Sequence, residues 1–139
     1  MNEELINNSI FITNLKLNRK IKRILSTINI THDQFIILNV LYQSKKSTLK
    51  NIQKETGLDP ATSCGIVRRL EKTKLIYKIN DISDKRKKIL SLTEKGETIF
   101  KTGLAILKEF NEYIISNFNE NEISDFKRYL KRTEKLTNI

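Results

Sequence analysis

Near the start of the chain apolar residues recur at Ile6, Ile10, Leu17, Ile21, Ile24 and Ile28, in steps of 4, 7, 4, 3 and 4. That is the spacing of one helix face, and it predicts a long first helix over about residues 4–28. The chain restarts at Thr31, which stands three residues before Gln34 in the S/T-x-x-E/Q spacing of a capping box, with Asp33 suited to the positive end of the helix dipole. A second helix then runs through Phe35, Leu38, Leu41 and Tyr42 and ends near Ser44. A third, shorter one spans about Leu49 to Glu55 and stops at Thr56-Gly57. Asp59 is a good N-cap and Pro60 a good first helical residue, so a fourth helix opens there, with Ser63, Ile66, Val67 and Leu70 on its inner face.

The period then changes. Leu75–Ile79 and Lys88–Leu92 each read as a short strand, and the polar stretch 80–87 between them reads as a hairpin tip. Thr93 caps a long helix over about 93–118, with an apolar stripe through Phe100, Gly103, Leu104, Leu107, Phe110, Ile114 and Phe118. Asn119–Glu122 starts a last helix that carries Ile123, Phe126 and Leu130 to about residue 136. The fold class is therefore mainly α with a small β-hairpin: a winged helix-turn-helix over 31–93, flanked by long dimerisation helices over 4–28 and 94–136, all within one domain of 139 residues.

Charge sharpens this picture. Lys and Arg number 26 against 16 Asp and Glu, a net charge of +10, which suits a polyanionic partner. A single cysteine, Cys64, excludes an internal disulfide, and with one histidine, His32, the chain offers little for a zinc site or a His-centred triad. No metal, cofactor or catalytic residue is expected. His32 is expected to be exposed in the first turn of its helix. No run is long enough to span a membrane, and Glu3 and Glu4 stand where a signal peptide needs cations, so a cytoplasmic protein is expected.

The two short helices brace each other and leave the polar face of the fourth free for a DNA major groove. That face carries Ala61, Thr62, Gly65, Arg68 and Arg69. The hairpin tip gathers Lys85, Arg86, Lys87 and Lys88 against Asp81 and Asp84, a concentration of positive charge fit for phosphate and groove contacts.

These residues carry a resemblance. Leu58-Asp59-Pro60-Ala61-Thr62, the run Val67 to Ile76, Asp81-Ile82-Ser83-Asp84-Lys85-Arg86 and Leu90-Ser91-Leu92-Thr93-Glu94-Lys95-Gly96 resemble the multiple antibiotic resistance regulator (MarR) family, whose wing carries Asp-x-Arg followed by L-x-L-T-x-x-G. The resemblance covers Thr48 to Gly96, and the flanks match in pattern. It implies an intertwined homodimer on a pseudo-palindromic duplex, with a small-molecule effector as a further partner. It also implies that Arg86 enters the minor groove, that Asp84 orients it, and that Thr62, Gly65, Arg68 and Arg69 face DNA. Gly65 departs from the family, which often carries a larger side chain there, so readout by this helix is thinner and shape readout through the wing gains weight.

The leading reading is a dimeric transcription regulator, a repressor on its operator. The alternative is a winged-helix module that binds a protein partner, as an antirepressor does. The basic wing favours DNA, since Ile82 is the only apolar residue at its tip. An enzyme has little support, because no P-loop, G-x-G-x-x-G, H-E-x-x-H or G-x-S-x-G is present. A basic amphipathic membrane binder is a further alternative. The first helix also carries a basic cluster, Lys16, Arg19, Lys20, Lys22 and Arg23, read as a solvated outer face or as extra phosphate contacts.

Overall fold

A computed structural model describes residues 4–138, so the acid at position 3 lies outside the described residues. The order of elements is α1 (Ile6–Leu25), a 3-10 turn (Ser26–Ile28), α2 (His32–Ser44), β1 (Lys46–Thr48), α3 (Leu49–Thr56), α4 (Pro60–Lys72), β2 (Ile76–Asn80), β3 (Lys88–Leu92), α5 (Glu94–Ile115) and α6 (Glu120–Leu136). Two compact units divide the chain, residues 1–105 and residues 106–139.

In the first unit local signals set most boundaries. The Thr31–Gln34 capping box forms in both directions, with bonds of 3.0 and 2.9 Å. Asp59 accepts from the backbone N–H of Thr62 at 2.8 Å, and Pro60 occupies the first helical position. Gly57 ends α3 in the left-handed region at φ 74°, which glycine adopts without steric cost. The first helix stops at Leu25 rather than 28: a tighter turn follows, and Asn29 closes it at φ 58°. His32 is half-buried rather than exposed, and burial holds its imidazole below the usual range against the opposing pull of Asp33.

The sheet has three strands, not the two expected. It is antiparallel in the order β1-β3-β2, with Ser47 opposite Leu90 and Lys78 opposite Leu90 on the other side. The core of this unit includes Leu25, Ile37, Leu38, Leu41, Ile52, Leu70 and Phe100 from the helices and Leu90 from β3, all essentially inaccessible to solvent. Phe100 of α5 stacks on Phe35 at 5.2 Å between ring centroids and meets Tyr42 at 4.7 Å.

The start of α5 is seated against the turn before β2. The Thr93 hydroxyl donates to the Lys74 carbonyl at 2.6 Å and accepts from the Gly96 N–H at 3.0 Å, while the Thr93 N–H donates to the Leu75 carbonyl at 3.1 Å. This clamp leaves no room at Gly96, where a Cβ would lie 1.9 Å from the Leu75 carbonyl oxygen.

The second unit holds the end of α5 and all of α6. The Asn119–Glu122 capping box starts α6, with both of its bonds formed. No residue of α6 is buried, and Phe126, Tyr129, Leu130 and Leu136 are exposed.

Candidate nucleic-acid interface

The fourth helix is held by its inner face. Ser63, Ile66, Val67 and Leu70 are buried as the sequence predicts. The Ser63 hydroxyl accepts from the Gln53 side chain at 2.8 Å and donates to the Pro60 carbonyl at 3.1 Å. That part-buried polar pair ties α3 to α4 across the turn. The opposite face is then left to solvent: Thr62, Cys64, Arg68 and Arg69 are exposed and Gly65 is half-exposed. Thr62 also serves the cap, since its hydroxyl donates to Asp59 at 2.8 Å. The Thr62 backbone and side-chain hydrogen bonds hold the Asp59 carboxyl below the ordinary carboxylate range.

Nothing lies within 4 Å of a Cβ added at Gly65, and its backbone is helical. Neither packing nor φ therefore requires a glycine there, and the middle of the exposed face is an open gap. Gly65→Ala is expected to stabilise the fold by about 0.5–1 kcal/mol through helix propensity alone. A urea midpoint unchanged or lowered relative to the parent would show that the gap has a structural role.

The wing tip is internally hydrogen-bonded. Asp81 accepts from the N–H and hydroxyl of Ser83, both at 3.0 Å, and these bonds hold its carboxyl below the usual range. Asp84 Oδ1 accepts from the Arg86 N–H at 2.9 Å and from Arg86 Nε at 3.3 Å. The Lys87 N–H returns to the Asp84 carbonyl and the Asp81 N–H to the Lys87 carbonyl, each at 3.0 Å. The Arg86 side chain is 92% exposed while Asp84 is 31% exposed, so the carboxylate is the fixed member and the guanidinium the presented one. At the base of the tip Lys88 bonds Asn80 across the ladder.

Of the predicted cations, Arg86, Lys87 and Lys88 come together around a cavity of about 310 Å3 between the wing and the α3–α4 pair. Lys50 of α3 and Lys78 of β2 share its lining, with Val67 and Leu90 among its apolar members and no carboxylate. Lys85, Arg68 and Arg69 are exposed but do not line it. Lys50 and Lys78 escaped the sequence reading because α3 and β2 meet the wing only through the fold. Lys78 is partly neutralised by Glu71 at 3.2 Å. Clustered cations on low-dielectric walls give a strongly positive local potential.

Among the described residues no helix is long and apolar enough to cross a membrane, and no group of three or more His, Cys, Asp or Glu is placed to hold a metal ion.

Comparison with known proteins agrees with this architecture. The sequence matches SarZ, an HTH-type transcriptional regulator of Staphylococcus aureus, at 28% identity over 123 residues, covering 87% of this chain and 80% of that protein. The fold superposes on the S. aureus MepR–DNA complex with a TM-score of 0.90 and 26% identity, covering 97% of this chain and 99% of that one. It also superposes on a mutant E. coli MarR complexed with operator DNA, with a TM-score of 0.85 and 21% identity over 92% of each chain. The MarR-type winged helix-turn-helix expected from the wing motif is therefore the fold of this chain. The sequence model of the family described as transcriptional regulator SarA/Rot matches residues 19–102, more than half of the chain, and the chain belongs to that family.

Proposed function

We propose that this regulator is a homodimer that binds double-stranded operator DNA, laying the exposed face of α4 in the major groove and the wing in an adjacent minor groove. The observation that carries the reading is the wing tip, where a half-covered Asp84 holds an exposed Arg86 beside Lys87 and Lys88. An arginine presented on a fixed mount suits a narrow groove, where the negative potential is enhanced. Thr62, Gly65, Arg68 and Arg69 form the helix part of the contact, and Lys85, Lys87 and Lys88 meet phosphate. The named DNA complexes of MepR and MarR support this reading by their shared fold.

The salt dependence of binding to a duplex selected from a random pool tests it. If each protomer neutralises roughly four phosphates, the slope of log K against log salt is about −7 for the dimer. A slope shallower than about −2 would instead favour a winged module that binds a protein partner.

Dimerisation rests on unburied apolar surface. Ile6, Ile10, Phe11, Ile12 and Leu15 are exposed on α1, and α6 presents Phe126, Leu130 and Leu136. A 17-residue helix with no buried residue lacks the tertiary packing that supplies most helical stability in proteins, and a second copy supplies the missing partner. An obligate dimer of this kind buries more than ~2,000 Å2. Light scattering is expected to give twice the 16.3 kDa chain mass at micromolar concentration, and a monomer there overturns the assignment.

A further inference from the structure

Ile82 is fully exposed, more so than any other large apolar side chain among the described residues. A single apolar residue on a surface usually needs no explanation. Three features set this one apart. It stands at the tip of a protruding hairpin. The Asp81 carboxylate bonds both polar groups of Ser83 around it, so the segment that carries it is ordered. It is flanked by Asp81 and Asp84, whose carboxylates are engaged by Ser83 and Arg86, and the cations Lys85 to Lys88 follow in the same tip, so it is an isolated apolar point in a tip of net positive charge.

The chemistry that fits such a tip has an anionic rim and closely spaced apolar walls. A protein interface needs a broader apolar core than one side chain supplies. A membrane surface needs a broader apolar face than one side chain. A DNA minor groove is about 6 Å wide, is walled by deoxyribose and edged by phosphate, and accepts isoleucine among its apolar wedges. Isoleucine is also stiff at χ1, so little rotamer freedom is lost when it docks.

Resting on the DNA-binding reading above, we propose that Ile82 is an apolar contact element of the wing, seated against the deoxyribose walls of the minor groove while Arg86 takes up the groove's negative potential. The wing then recognises two properties at once, potential through Arg86 and width through Ile82. A widened groove loses the apolar contact even where phosphate contacts persist.

The test compares the parent protein with Ile82→Ser and Ile82→Val. The probes are a duplex selected by the parent from a random pool, a scrambled duplex of equal length, and vesicles of phosphatidylglycerol and phosphatidylcholine. Ile82→Ser is expected to weaken binding to the selected duplex about tenfold, the loss of one partly buried aliphatic side chain. Ile82→Val stays within about threefold of the parent, because it keeps most of the apolar contact. The salt slope is unchanged in both, since no phosphate contact is removed. The melting temperature is also unchanged, since the side chain is fully exposed. Ile82→Ser binding within about twofold of the parent overturns the proposal, as does a salt slope shifted by about one. A loss confined to the vesicles assigns the tip to a membrane instead and likewise overturns it. A parent protein that does not prefer the selected duplex over the scrambled one overturns the DNA reading itself, an outcome visible before any variant is compared.

Discussion

Gly96→Ala is expected to destabilise the fold by about 3 kcal/mol or more, a large part of the roughly 5–15 kcal/mol that holds a domain together. The cause is one atom. The added Cβ would lie 1.9 Å from the Leu75 carbonyl oxygen, and both sides of the clash are backbone. Neither can rotate away as a flexible side chain would. Relief requires moving the first turn of α5 off the turn before β2, which stretches the Thr93 bonds to Lys74 and Leu75. The measurement is urea unfolding followed by circular dichroism, with Gly65→Ala as the matched control. The same chemical change is expected to stabilise at 65 and to destabilise at 96, because the first site is open and the second is filled. A loss at Gly96 smaller than about 1 kcal/mol would mean that the clamp yields easily.

Arg86→Ala is expected to weaken operator binding about 10- to 100-fold, the largest loss of any wing residue. Lys85, Lys87 and Lys88 are flexible point charges that stand in for one another near phosphate, whereas the guanidinium is planar, weakly hydrated and held by Asp84 at 3.3 Å. Lys87→Ala should cost less and reduce the salt slope by about one. Asp84→Ala separates two accounts. Removing a negative charge near DNA tightens binding if only net charge matters. Binding weakens if the carboxylate positions Arg86, because Oδ1 also anchors the Arg86 N–H at 2.9 Å and the turn loosens without it. All three variants are to be measured on one duplex at one salt concentration. Tighter binding by Asp84→Ala, or an Arg86→Ala loss no larger than that of Lys87→Ala, removes the special role of the pair.

The features legible in the sequence are those whose causes are local. Thr31 with Gln34, Asp59 with Pro60, and Asn119 at the last helix all act within a single turn, and each is where the sequence places it. The Asp84–Arg86 bond spans two residues and is equally local. Non-local causes left weaker traces. Lys46-Ser47-Thr48 has no apolar alternation and becomes a strand only because β3 has a free edge beside it. Lys50 and Lys78 join Arg86 around one cavity through tertiary packing that neither position announces. The end of the first helix was misplaced for a subtler reason. A single 3-10 turn continues the same right-handed winding for three more residues, so the apolar pattern runs on to Ile28 although the α-helix has already ended.

The small strand β1 also anchors the base of the wing. Because β1 bonds the edge of β3 that β2 leaves free, the root of the wing is tied to residues 46–48. Bending the β2–β3 hairpin away from α3 and α4 would break the β1–β3 ladder bonds, whereas the β2–β3 bonds move with the hairpin. The base of the wing is thus coupled through β1 to the start of α3, which follows Thr48 directly.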